Sequence, residues 1–118
     1  KGVVAINVGR SLRDDELVRA LASTMEAVFA SVYVVDLPVS SAGLSNSMVV
    51  GTKQATRFED FAANVAALSD PRLVEVGQRV LSHVRAHVGE GLVLTDNRAP
   101  VEELIHQLIL DYLLAAEG

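Results

Sequence analysis

A group of polar residues follows the first apolar run of the sequence and consists of Asn7, Gly9 and Arg10. Residues 3–8 indicate a β-strand because they are apolar and mostly β-branched, and Gly9 ends the run. Ligands of open α/β sheets bind at the carboxyl ends of strands, so these residues are candidates for one wall of a substrate cleft. A tight turn between strand and helix explains the same residues without a ligand. Both interpretations stay open on the sequence alone.

A second polar cluster precedes the last predicted helix and extends into its first turn. Its members are Asp96, Asn97, Arg98 and Glu102. Arg98 and Glu102 are four residues apart, which is the spacing of an ion pair across one helical turn. Pro100 suits the first turn of a helix, and Asp96 or Asn97 can accept hydrogen bonds from exposed amides there. The cluster therefore has a structural explanation, and the alternative is recognition of a substrate or of another domain.

His83 and His87 are four residues apart, a spacing that can place two imidazoles on one metal ion if the segment is a helix. The apolar stripe of that predicted helix consists of Leu73, Val76, Val80 and Val84. Both histidines fall on the opposite side, which we expect to be solvated. No third ligand is evident, and His106 lacks a sequence partner for catalysis. We therefore predict no metal site.

Composition limits the classes of function. The 118 residues include 10 Lys or Arg and 15 Asp or Glu, for a formal net charge of −5, and 50% are hydrophobic. This size indicates one domain spanning residues 1–118. Because there is no cysteine, thiol catalysis, thiolate metal sites and disulfides are excluded. The acidic balance and scattered basic residues argue against a nucleic-acid partner.

The chain also lacks sequence signals for membranes and secretion. No apolar run reaches the roughly 18 to 20 residues that span a bilayer. Residues 3–8 are too short for the apolar region of a signal peptide. We therefore expect a cytoplasmic protein without membrane contact by this segment. Because the chain begins without Met and enters a strand almost at once, we also expect it to be a fragment of a longer protein.

The elements that must position these residues follow an α/β pattern. We predict strands at residues 3–8, 32–35 and 48–51, helices at 14–30, 58–68, 71–88 and 101–116, and a brief extended piece at 92–94. Ser11 is the expected N-cap of the first helix, and Asp70 that of the third. The short loop between the second and third strands favours an antiparallel pair, so we expect a three-stranded mixed sheet with about four helices. The first strand would lie at an open edge, although its composition suits a central position.

The last predicted helix is apolar over much of its circumference. One face consists of Val101, Leu104, Ile105, Leu108 and Ile109, and the apolar surface is widened by Leu110, Leu113 and Leu114. A helix of this kind buries more than one side. We therefore expect a homo-oligomer or a contact with another domain through this helix.

The most specific string in the sequence is Leu94-Thr95-Asp96-Asn97-Arg98-Ala99-Pro100-Val101-Glu102. It resembles the "TDDRAPVE" ending of bacterial members of the spermidine synthase-like (polyamine aminopropyltransferase) family, many of which are fused to membrane transporter-like segments. Asn97 departs from the family, which usually has a second Asp there. The resemblance covers nearly the whole chain and corresponds to the C-terminal half of the family's domain.

The resemblance implies a partial Rossmann-like fold of the class I S-adenosylmethionine-dependent methyltransferase type. In that fold the last three strands run parallel, parallel and antiparallel, with the final strand inserted between the other two. For the parent protein it implies aminopropyl transfer from decarboxylated S-adenosylmethionine to a diamine such as putrescine. The Gly-rich cofactor turn and the catalytic aspartate of the family would both precede Lys1. The one Gly-x-Gly in this sequence, residues 89–91, follows a predicted helix instead of a strand.

We therefore expect neither a catalytic residue nor a cofactor in this chain, and no transferase activity by the chain alone. Its expected partner is the N-terminal half of the parent protein. A fragment of a methyltransferase that uses S-adenosylmethionine is one alternative. A non-catalytic oligomerisation or regulatory domain is another, which the apolar last helix and the missing cofactor turn favour.

Overall fold

The computed structural model describes residues 2–41, 43–89 and 91–117. Its elements in chain order are β1 (Val3–Ser11), α1 (Glu16–Glu26), β2 (Ser31–Asp36), β3 (Leu44–Thr52), α2 (Phe58–Ala66), α3 (Pro71–Leu81), β4 (Val84–Ala86) and α4 (Val101–Glu117). The predicted α/β class and the four helices are confirmed. The predicted number of strands is wrong, because the described residues form four.

The four strands lie in one sheet in the order β1-β3-β2-β4, and every hydrogen-bonded pair of neighbours is antiparallel. The prediction of a mixed sheet is therefore wrong, because no two neighbouring strands of the described residues are parallel. β1 and β2 both run antiparallel to β3, which separates them, so they point in the same direction without touching. β1 forms the outer edge of the sheet, as expected from the order of the elements.

The fourth strand replaces part of a predicted helix. Residues 71–88 were expected to be helical, but α3 ends at Leu81 and β4 pairs with β2 through Val84 and Val35. The β-branched Val84 suits a strand, and the edge of β2 offers backbone partners to this segment. His87 continues the contact, since its amide donates to the carbonyl oxygen of Val32 at 2.9 Å. Residues 92–94, predicted to be extended, belong to no strand.

The predicted N-cap of α3 is confirmed, whereas the predicted N-cap of α1 is wrong. Asp70 caps α3 as predicted, because its Oδ1 accepts a hydrogen bond of 2.8 Å from the amide of Arg72. Ser11 does not cap α1. It is the last residue of β1, and its Oγ accepts hydrogen bonds from the amides of Arg13 at 3.2 Å and Asp14 at 3.0 Å. This turn delays α1 until Glu16.

The core lies between α1 and one face of the sheet. Its buried members are Val8, Val18, Ala22, Met25, Val32, Val34 and Val49. Burial is greatest at β3 and β2 and falls towards β1. Ile6, Val49 and Val34 are opposite one another in the register, and they are 37%, 0% and 1% exposed. The β1 side of this core face is therefore only partly covered.

Gly51 allows α1 to approach β3 closely. A Cβ at this position would lie 2.7 Å from Met25 Cε and 2.7 Å from Phe29 Cγ, which is closer than van der Waals contact. Any larger residue would force these two side chains to move. The close approach of Met25 and Phe29 to β3 therefore depends on glycine at this position.

The remaining helices pack less deeply. α2 and α3 pack on each other where Val65 meets Gly77. α4 contacts β1 and α1, but no residue of α4 is buried. Within residues 2–41, 43–89 and 91–117, no helix combines the length and apolarity that crossing a membrane requires.

Candidate functional site

Four polar side chains, one from each strand, meet near the carboxyl ends of β1 and β2. They are Arg10, Asp36, Ser47 and Arg85, and we call them the arginine-aspartate cluster. Ser47 Oγ donates to Asp36 Oδ1 at 2.6 Å, and Arg85 Nε donates to Asp36 Oδ2 at 3.2 Å. Arg10 Nε lies 3.6 Å from Asp36 Oδ1. One carboxylate therefore links all four strands.

The strand register explains why these residues meet. Ser47 lies opposite Asp36, and Arg85 lies opposite the residue two positions before Asp36. Arg10 lies opposite Ser45, two positions before Ser47. Side chains two positions apart in a strand point to the same face, so all four lie on the face that carries α1.

The cluster carries two positive charges around one negative charge. Burial by itself raises the pKa of Asp36, but hydrogen bonds from Ser47 and Arg85 and the charges of Arg85 and Arg10 outweigh it, so this pKa lies below its usual value. A carboxylate with a lowered pKa and occupied oxygens is a poor general base. The geometry therefore indicates that Asp36 aligns the strand ends instead of transferring protons.

The residues of the first predicted group, Asn7, Gly9 and Arg10, lie on two different faces of the sheet. Arg10 has a structural role, because its side chain is only 14% exposed and its Nη2 donates to the carbonyl oxygen of Leu37 at 2.8 Å. Asn7 and Gly9 belong to the opposite face, since side chains alternate along a strand. Asn7 is exposed, and Gly9 lies under Leu108 of α4, whose Cδ2 is 3.7 Å from where a Cβ would be.

The second predicted group forms an exposed turn before α4. The amide of Thr95 donates to the Arg98 carbonyl at 2.9 Å, and the Arg98 amide donates to the Thr95 carbonyl at 3.0 Å, with Asp96 and Asn97 between them. Among the ion pairs of the described residues, none joins Arg98 to Glu102, so that predicted pair is wrong. The reason is that Arg98 precedes the first turn of α4 and does not share its helical geometry.

The histidine prediction is also wrong in its geometry. His83 follows α3, and its Nδ1 lies 2.8 Å from the Arg79 carbonyl oxygen. His87 follows β4, is 8% exposed, and places Nε2 2.9 Å from Ser23 Oγ. The early end of α3 separates the two rings. In the part of the chain that the structure describes, no group of three His, Asp or Glu is arranged to hold a metal ion.

A set of contacts that the sequence pattern did not reveal joins α1 to the segment before α4. Besides the His87 contact, the amide of Gly89 donates to Glu26 Oε2 at 2.9 Å, and the amide of Leu94 donates to Thr24 Oγ1 at 2.7 Å. Gly91 has a φ of +151°, and a Cβ there would lie 2.7 Å from the Arg19 carbonyl oxygen. These contacts hold the segment between β4 and α4 against α1.

A hollow of about 370 Å³ opens where β1 ends, between the turn after β1, the loop before β3 and the last turns of α4. Its charged lining residues are Arg13 and Asp111. None of the residues predicted from the sequence as site candidates lines it. The hollow lies at the carboxyl end of β1, directly after the strand that carries Asn7, Gly9 and Arg10.

Comparisons of the chain with protein-family models, with curated proteins and with solved structures give no match.

Proposed function

We propose that this chain is the C-terminal part of a spermidine synthase-like transferase with a partial Rossmann-like fold. The parent protein would transfer an aminopropyl group from decarboxylated S-adenosylmethionine to a diamine such as putrescine. The observation that carries the proposal is the position of β3, which runs antiparallel between β1 and β2. The same order is implied for the last three strands of the family's fold. The string at residues 94–102 is the second support.

The partner in this proposal is the N-terminal half of the parent protein, which supplies a strand to the free edge of β1. Five of the nine β1 residues are exposed, and they alternate between the two faces. Val3 is 69% exposed and Val4 is 41% exposed, although a β-branched apolar run suits a strand that is covered on both sides. An open edge with these side chains is a place where another strand pairs.

The two halves of the proposed protein have different roles. The N-terminal half contributes the Gly-rich cofactor turn and the catalytic aspartate. This chain contributes the hollow at the end of β1 as one wall of the cleft, and the arginine-aspartate cluster keeps the strand ends aligned beside it. Asp96, Asn97, Arg98 and Glu102 are exposed and available for contact with the other half.

The activity test compares the intact parent protein with this chain. We expect the intact protein to convert putrescine and decarboxylated S-adenosylmethionine to spermidine, detected by mass spectrometry. We expect calorimetric titration of the isolated chain with the same cofactor to show no binding, because the cofactor turn lies outside it. Methyl transfer from S-adenosylmethionine without aminopropyl transfer would favour the methyltransferase alternative. Micromolar binding by the isolated chain would contradict the assignment of the cofactor site to the N-terminal half.

A specific observation also favours an assembly role for α4. Leu110, Leu113 and Leu114 are 49%, 52% and 66% exposed. Exposed apolar side chains in one helix are typical of an interface, and a homo-oligomer through α4 is our proposal for it. Replacement of Leu110 and Leu114 by Glu is expected to convert the oligomer to a monomer in sedimentation experiments. An unchanged sedimentation coefficient would rule out this interface, and Leu73→Glu in α3 is the control.

A further inference from the structure

A groove of about 440 Å³ runs between α2 and the face of the sheet opposite α1. Part of its floor is a row of side chains across three strands, formed by Met48, Val35 and Val84. Phe58 and Phe61 of α2 form the facing wall. Because side chains alternate between faces, this groove lies on the other side of the sheet from the arginine-aspartate cluster.

The groove exists because α2 does not pack deeply on the sheet. Its buried residue, Val65, packs on Gly77 of α3 instead. Phe58 in the wall therefore remains 45% exposed, and Met48 in the floor remains 39% exposed. Small-molecule pockets have volumes of about 300 to 1,000 Å³, and an engineered apolar cavity of about 150 Å³ binds benzene. The groove thus has room for a molecule of two or three rings.

The hydroxyl of Tyr33, which lines the groove, already has a partner within the chain. Tyr33 Oη donates to the Thr56 carbonyl oxygen at 2.7 Å. The two charged lining residues are solvent-exposed, since the side chains of Arg57 and Asp60 are 79% and 50% exposed, with Arg57 Nη2 3.9 Å from Asp60 Oδ1. A charged group placed on the apolar floor would therefore lose its hydration without gaining a partner there. The floor and the wall of Phe58 and Phe61 favour an uncharged occupant.

We propose that this groove is a binding site for an uncharged, largely aromatic small molecule of two or three rings. The rings of Phe58 and Phe61 supply offset-stacked or edge-to-face contacts, and the thioether of Met48 packs on ring edges. Val35 and Val84 form the apolar floor. The site is separate from the cleft of the proposed transferase and does not depend on that activity.

Two fluorescent probes with the same ring system test the proposal. N-phenyl-1-naphthylamine is uncharged, and 8-anilino-1-naphthalenesulfonate adds a sulfonate. We expect the uncharged probe to bind this chain saturably with one site per chain. The anionic probe is expected to bind at least about tenfold more weakly, because its sulfonate loses hydration on the apolar floor without gaining a partner there. Equal affinities, or no saturable binding of the uncharged probe, would overturn the proposal.

Matched variants locate the binding. Val50 lines the groove, and Val50→Phe fills it, so we expect at least about tenfold weaker binding of the uncharged probe. Val28→Phe makes the same change at a position that is 77% exposed and outside the groove, and should leave affinity unchanged. Phe61→Leu removes one ring from the wall. It should also weaken binding of the uncharged probe, and it tests the site if Val50→Phe does not fold. Near-UV circular dichroism and cooperative urea unfolding check that each variant is native. Unaltered binding of the uncharged probe by a folded groove variant would contradict the site.

Discussion

Replacement of Asp36 by Asn is expected to lower the free energy of unfolding by about 2 kcal/mol, because it leaves two arginines without their counter-charge. Arg10 is the more affected, since its side chain is 14% exposed and its Nε has no hydrogen-bond partner of its own. Asn keeps the shape of Asp and an acceptor for Ser47, so the change tests charge more than packing. Urea unfolding followed by circular dichroism measures the difference.

The same substitution should change how stability depends on pH. The pKa of Asp36 in the folded chain lies below its ordinary value of 3.8. The stability that this carboxylate contributes is therefore complete above that ordinary value and is lost as the pH falls through the lower, folded-state pKa. Asp36→Asn should remove this part of the acid sensitivity.

Asp15→Asn is the matched control for the Asp36 prediction. Asp15 also pairs with an arginine, at 3.0 Å from Arg19, but the two side chains are 44% and 45% exposed. Solvent-exposed pairs four residues apart in a helix contribute at most about 0.5 kcal/mol. If both variants lose the same stability, the arginine-aspartate cluster has no special role in aligning the strands.

Replacement of Val49 by Asp is expected to lower the free energy of unfolding by about 4 kcal/mol or more, which is enough to unfold a domain of this size. Val49 is 0% exposed in the middle of the core, so the new carboxylate would lie among apolar side chains without a partner. Loss of chemical-shift dispersion in NMR spectra at neutral pH would show the unfolding.

Ile6→Asp is the control for Val49→Asp, because Ile6 is the cross-strand neighbour of Val49 on the same face. Ile6 is 37% exposed, and the carboxylate can reach water, so we expect a loss of about 1 kcal/mol or less in the isolated chain. In the parent protein that we propose, a strand paired with the edge of β1 would bury this position further. Ile6→Asp should then be much more damaging there, and similar small losses in both contexts would argue against the proposed pairing.

Local features of the sequence determined the elements whose signals are contained within a few residues. The helical spacing of apolar residues located α1, α2 and α4, although α1 is shorter at both ends than predicted. Asp70 followed by Pro71 marked the start of α3, because a capping side chain and a proline act within the first turn of their own helix. The β-branched runs located β1, β2 and β3, and the brevity of the loop before β3 indicated its antiparallel pairing with β2.

Only the tertiary structure decided the features that depend on residues far apart in the chain. α3 ends at Leu81 because β4 finds partners on β2, about 50 positions earlier in the sequence, and this pairing moves His87 from a predicted surface to a buried contact with Ser23. The same holds for Asp36, whose pKa and ion pairs depend on the strand register. Backbone pairing between distant strands satisfies hydrogen bonds that no local propensity encodes. For that reason the sequence alone indicated the α/β class and the free edge of β1, whereas the arginine-aspartate cluster and the apolar groove arise only when the strands are aligned.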